Sequence, residues 1–87
     1  MNPDQPSELL QGAVLYVRDG CHLCGQFLLE LEVEFGPAAE SLQVVDVDAD
    51  VELAVQFGLR VPVLALAGEV VCEGVYDASK VKRALAV

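Results

Sequence analysis

Apolar residues change their spacing several times along this chain, and each change predicts an element. Ala13 to Val17 is a short, mostly apolar run closed by Arg18-Asp19-Gly20, which reads as a buried strand followed by a turn. From about His22 to Phe35 the apolar positions become 23, 27, 28, 31 and 35, a helical recurrence that leaves Gln26, Glu30 and Glu34 for water. Gly36-Pro37 stops that helix. Leu42 to Val47 is β-rich and predicts a second strand. Asp48 or Asp50 is then able to cap a short helix over Val51 to Phe57, with Gly58 as its C-terminal glycine. Val61 to Ala67 and Val70 to Glu73 predict two further strands joined by a tight turn at Gly68-Glu69. The last helix begins near Asp77, a natural N-cap, and places Lys80, Lys82 and Arg83 toward the end that favours cations.

The predicted order is β-α-β-α-β-β-α. Strands joined through a helix are parallel and strands joined by a tight turn are antiparallel, so the expected fold is α/β, a four-stranded mixed sheet with helices on both faces. Residues 1–11 are polar, carry two prolines and read as a flexible tail, leaving 12–87 as one domain. The tail has neither the basic start nor the apolar run of a secretory signal, so the expected location is the cytoplasm.

Composition narrows the function classes. The chain has 87 residues, enough for one core, and its 54 % apolar content argues against disorder. Fourteen acidic residues against five Lys and Arg leave a formal charge of −9, which repels nucleic acid and anionic lipid. No apolar run approaches the ~18–20 residues of a membrane span. A monomer working with no membrane or nucleic-acid partner is expected.

The chemistry sits in Cys21-His22-Leu23-Cys24. A Cys-x-x-Cys pair between a strand and a helix favours thiol–disulfide exchange, because free N–H groups and the dipole at a helix start favour a thiolate. Cys21, at the exposed end of the first turn, reads as the attacking thiolate; Cys24, one turn in, reads as the resolving thiol. His22, when protonated, would favour the neighbouring thiolate, or it simply faces solvent. Cys72, within Val70-Val71-Cys72, reads as a buried structural cysteine. Asp46, Asp48 and Asp50 share the 1-3-5 spacing of a calcium loop, but Val51 stands where glycine is needed and Phe57 where the bidentate glutamate belongs. They read as a strand end and a helix cap. Structural zinc wants four ligands, and no second Cys-x-x-Cys or His pair exists, so no metal site is expected.

Four segments together resemble the glutaredoxin-like branch of the thioredoxin fold. They are Cys21-His22-Leu23-Cys24, Val45-Asp46-Val47-Asp48, Phe57-Gly58-Leu59-Arg60-Val61-Pro62-Val63-Leu64 and Gly74-Val75-Tyr76-Asp77. The resemblance implies that Val61-Pro62 is cis and that Val61 offers its backbone to an incoming peptide or to glutathione. It also implies substrate-binding roles for Arg18, His22, Arg60, Val61, Pro62 and Gly74, the two arginines meeting a glutathione carboxylate. The chain departs from the family pattern in two places. Glu73-Gly74 replaces the usual Gly-Gly, and the Cys-x-x-Cys lacks the proline common in its second position. Both departures weaken the implied glutathione site and leave the dithiol chemistry intact.

The expected function is therefore a thiol–disulfide oxidoreductase without a resident cofactor, its partner a disulfide-containing protein or glutathione as co-substrate. The alternative is a non-enzymatic binding or adaptor module of the same fold, or an iron–sulfur or other metal site built on the same cysteines.

Overall fold

The computed structural model describes residues 9–86. Its elements run β1 (Ala13–Val17), α1 (His22–Phe35), β2 (Gln43–Asp46), α2 (Val51–Phe57), β3 (Val63–Leu66), β4 (Glu69–Glu73) and α3 (Ala78–Leu85). Two 3-10 turns are added, Gly36–Ser41 after α1 and Val47–Ala49 after β2. The sheet order is β2-β1-β3-β4, with β1 parallel to β2 and antiparallel to β3, and β3 antiparallel to β4. This is the thioredoxin-like mixed sheet expected from the element order.

Strand alternation sends successive side chains to opposite faces. Ala13, Leu15 and Val17 of β1 and Leu64 and Leu66 of β3 therefore meet Phe27, Leu31 and Phe35 of α1 and Val81 and Leu85 of α3. Tyr16 and Val63 point the other way and meet Val47, Leu53 and Phe57. So α1 and α3 cover one face and α2 the other. Phe27, Leu15, Leu31, Val63 and Val81 have less than 2 % of their surface exposed. Each such side chain contributes roughly 1.5–3 kcal/mol of hydrophobic stabilisation.

Several boundaries move. The buried stripe of α1 is Cys24, Phe27, Leu31 and Phe35, while Leu23 is 43 % exposed. Cys24 falls in the middle of the stripe set by Phe27, Leu31 and Phe35 at about 3.6 residues per turn, and Leu23 falls at its edge. Part of the expected tail of residues 1–11 is packed. Leu10 is fully buried and its carbonyl accepts the Ala13 N–H at 3.0 Å, whereas positions 1–8 lie outside the described residues. Val47 leaves the strand for a 3-10 turn because its side chain is fully buried under α2. The β3–β4 turn is Ala67-Gly68 instead of Gly68-Glu69, with both residues at positive φ (52° and 82°) as a two-residue hairpin demands.

Candidate active site

The register gathers the chemistry at one end of the sheet. Val17 pairs with Asp46, and Tyr16 pairs with Val63, so the C-terminal ends of β1 and β2 lie beside the N-terminal end of β3. Val63 also pairs with Glu73, which brings the end of β4 to the same place. Pro62 and Gly74 adjoin these strands directly, and Cys21 follows β1 after a three-residue turn. Residues far apart in sequence thus become one rim.

Cys21 is the N-cap of α1. Its backbone is extended (φ −84°, ψ 105°) and its Sγ accepts the Cys24 N–H at 3.1 Å. A sulfur that accepts one of the free N–H groups of a helix start is favoured in its anionic form. Cys21 and Cys24 are joined by a disulfide, with Cα atoms 5.2 Å apart. Cys24 is buried at 5 % exposure, while Cys21 is half-buried and opens onto solvent. The two sulfurs are therefore unequal in access. His22, the first helical residue, is exposed and lines the same groove as Cys21.

That groove has a volume of about 520 Å³ and runs from Val17 and Arg18 past the cysteines to Val44 and Asp46. A smaller hollow of about 190 Å³ lies on the other side of the first turn of α1, between Leu23, Glu30, Gly74 and Tyr76. The Val61-Pro62 bond is cis. Pro62 is buried, and its carbonyl accepts the Gly74 N–H at 2.8 Å. Gly74 sits at φ +76°, a conformation that L side chains rarely adopt, so glycine here shapes the link between β4 and the loop before α3. The Val61 N–H donates to the Phe57 carbonyl at 3.0 Å, leaving its own carbonyl as the backbone group it can offer outward.

Both arginines of the rim already have carboxylate partners. Arg18 Nε and Nη2 donate to Asp48 Oδ2 and Oδ1 at 3.0 and 2.9 Å, and Nη1 donates to the Gly58 carbonyl at 3.1 Å. The hydrogen bond to Asp48, with that residue's charge, raises the Arg18 pKa, and Arg18 in turn holds the Asp48 carboxyl below the usual range. Arg60 Nε donates to Glu73 Oε2 at 2.7 Å, and its guanidinium lies 5.2 Å from the centre of the Phe57 ring. Phe57 stacks on Tyr16 in turn, with ring centres 4.6 Å apart. Asp48, Gly58 and Glu73 were not legible as parts of the site, because their partners lie 30, 40 and 13 residues away in the chain.

Of the remaining expectations, Asp50 and not Asp48 caps α2, accepting the Glu52 N–H at 2.8 Å. Asp46 caps the 3-10 turn through the Asp48 N–H at 2.9 Å. Gly58 does end α2, but in a right-handed conformation (φ −55°, ψ −34°), not the left-handed one that usually selects glycine. Its reason is space: a Cβ there would collide with the Ala54 carbonyl and come within 3.0 Å of Arg18 Nη2. Cys72 is 4 % exposed, its thiol donates to the Val75 carbonyl at 3.4 Å, and burial pushes its pKa up. Among the described residues no group of three or more His, Cys, Asp and Glu is placed to hold a metal ion, and no helix is long and apolar enough to cross a membrane.

Residues 13–86 match the family model described as Glutaredoxin-like domain (DUF836). No curated protein matches the chain. Among solved structures, it is similar to a structural-genomics target protein from X. campestris, at 32 % identity over 85 % of this chain and 95 % of that one, with a TM-score of 0.66. It is also similar to the holo form of glutaredoxin C1 from populus tremula x tremuloides, at 20 % identity over 91 % of this chain and 82 % of that one, with a TM-score of 0.50. At that identity the second likeness speaks to the fold.

Proposed function

The chain belongs to the glutaredoxin-like domain family, and from that premise we propose that it is a thiol–disulfide oxidoreductase working through Cys21 and Cys24. The observation that carries this reading is the Cys21 sulfur. It caps a helix, accepts the Cys24 N–H and lies at the mouth of a groove, joined to a buried Cys24.

In the reduced protein, the Cys21 thiolate attacks one sulfur of a partner disulfide. The partner's S–S bond breaks, its second sulfur leaves as a thiolate and takes a proton, and a Cys21–partner mixed disulfide forms. Cys24 then loses its proton and attacks the Cys21 sulfur. The mixed disulfide breaks, the partner departs as a dithiol, and the Cys21–Cys24 disulfide remains. Two electrons have passed to the partner. An external thiol reductant, glutathione or a protein dithiol, reverses the same steps to restore the reduced pair.

The other rim residues have positioning or docking roles in this reading. The Val61 carbonyl, beside cis Pro62, offers the partner a backbone acceptor, and Gly74 holds that loop from the β4 side. His22 flanks the attacking sulfur. Arg18 and Arg60 act through Asp48, Gly58 and Glu73 to brace the rim. The protein works as a monomer in the cytoplasm without a resident cofactor, on a disulfide-containing protein, away from nucleic acid and membranes.

Single-cysteine variants test the assignment. Cys21→Ser is expected to abolish disulfide reduction. Cys24→Ser is expected to accumulate a mixed disulfide on Cys21, visible by non-reducing mass spectrometry after reaction with a disulfide substrate. Retained turnover in Cys21→Ser, or an adduct found on Cys24 of the Cys21→Ser variant instead, would reverse the roles.

A further inference from the structure

We infer that the dithiol selects disulfides flanked by positive charge, and that Asp19 and Asp46 are the residues that set this preference. The inference rests on the thiol–disulfide reading above and names its substrate class: a protein segment with Lys or Arg beside its disulfide, in preference to glutathione.

Two carboxylates line the groove beside Cys21, and a third is paired with its arginine. Asp19 and Asp46 line it directly, and Asp48 is the partner of the groove's single arginine, Arg18. Arg18 satisfies both oxygens of Asp48 and turns its remaining nitrogen to the Gly58 carbonyl. Its positive charge is thus cancelled within the protein. Asp19 and Asp46 are exposed, and among the described residues neither forms an ion pair. The hollow on the other side of the first turn repeats the pattern. Glu30 lines it, exposed and without an ion pair among the described residues, while Arg60 is held by Glu73.

Both rim arginines are therefore paired, and acids that form no ion pair among the described residues remain on both sides of the sulfurs. Glutathione carries two carboxylates against one ammonium, so each approach to Cys21 places like charges together. A peptide with cations beside its disulfide meets Asp19 and Asp46 favourably. The groove, together with a formal charge of −9 over the whole chain, focuses this field on the attacking sulfur. Val44, 48 % exposed at the groove wall, gives such a peptide an apolar contact.

The test compares three disulfides reacting with the fully reduced protein in a stopped-flow instrument: a lysine-flanked cystine peptide, its glutamate-flanked counterpart and glutathione disulfide. Each rate is divided by that of the same disulfide with dithiothreitol, which removes the effect of flanking charge on the leaving thiol. The normalised lysine-to-glutamate ratio is expected to be about tenfold at low salt, with glutathione disulfide near the glutamate peptide. The ratio should fall toward one at 1 M salt, where screening acts within about 3 Å. It should also fall toward one in the Asp19→Asn, Asp46→Asn double variant, in which asparagine keeps the Asp46 capping oxygen. A ratio near one at low salt, or an unchanged ratio in the double variant, overturns the inference while leaving the oxidoreductase reading intact. Failure to react with all three disulfides overturns both.

Discussion

Cys21 occupies an N-cap, a position that Ser, Thr, Asp and Asn usually fill, and a cysteine there presents its sulfur to the free N–H groups of the helix start. Asp77 shows the ordinary use of the same position at α3. Its Oδ1 accepts the Ser79 hydroxyl at 2.7 Å and the Ser79 and Lys80 N–H groups at 3.1 and 3.2 Å. The Ser79 hydroxyl, then the Lys80 N–H, hold its carboxyl below the usual aspartate range, as Arg18 does for Asp48. A carboxyl depressed in the folded state stabilises it above the unfolded value, near 3.9, and that stabilisation is lost as pH falls through the folded value. Urea midpoints are therefore expected to drop on acidification below about pH 4. Asp77→Asn, which still caps α3 but cannot titrate, should lose less of its midpoint over that interval than the natural chain. Equal losses would remove Asp77 from the account. The caps and the cysteine pair were legible because each acts within three residues of itself. The Arg18–Asp48 clamp was not, because nothing local says that the turn after β1 meets the turn after β2.

Elements were legible in kind and order, and their ends were not. The helix α1 was placed correctly from its apolar spacing, and its inward face includes Cys24 and omits Leu23, because at about 3.6 residues per turn Cys24 falls between Phe27, Leu31 and Phe35 while Leu23 falls at the edge of that stripe. The strand β3 starts at Val63 because cis Pro62 has no N–H for a ladder. Gly58 is the sharpest case. Glycine after a helix predicts a left-handed cap, for which alanine is costly, but here φ is −55° and the constraint is the Ala54 carbonyl and the Arg18 guanidinium against its missing Cβ. At a compatible right-handed position Gly→Ala stabilises by about 0.4–1 kcal/mol. Gly58→Ala is instead expected to destabilise by about 1–3 kcal/mol, the usual result of overpacking, and to loosen the Arg18–Asp48 pair. Urea unfolding decides the sign, and a gain in stability would show that the end of α2 yields without cost.

At the scale of the molecule, two cores on opposite faces of one sheet hold a rim where four strand ends meet, and the dithiol lies on that rim. The fold was legible because element order and turn lengths leave few topologies for a chain this short. The distribution of charge around the site was not, since composition reports −9 for the whole chain without saying that both rim arginines are paired. The central claim is that Cys21 and Cys24 exchange electrons as a pair. Its most direct test is the fraction of Cys21–Cys24 disulfide across a series of defined glutathione redox buffers, read by alkylation and mass spectrometry. A reversible two-electron titration with a midpoint between roughly −180 and −270 mV is the predicted result. A pair that never oxidises in these buffers, or that becomes accessible to alkylation only after a chelator is added, would contradict the account.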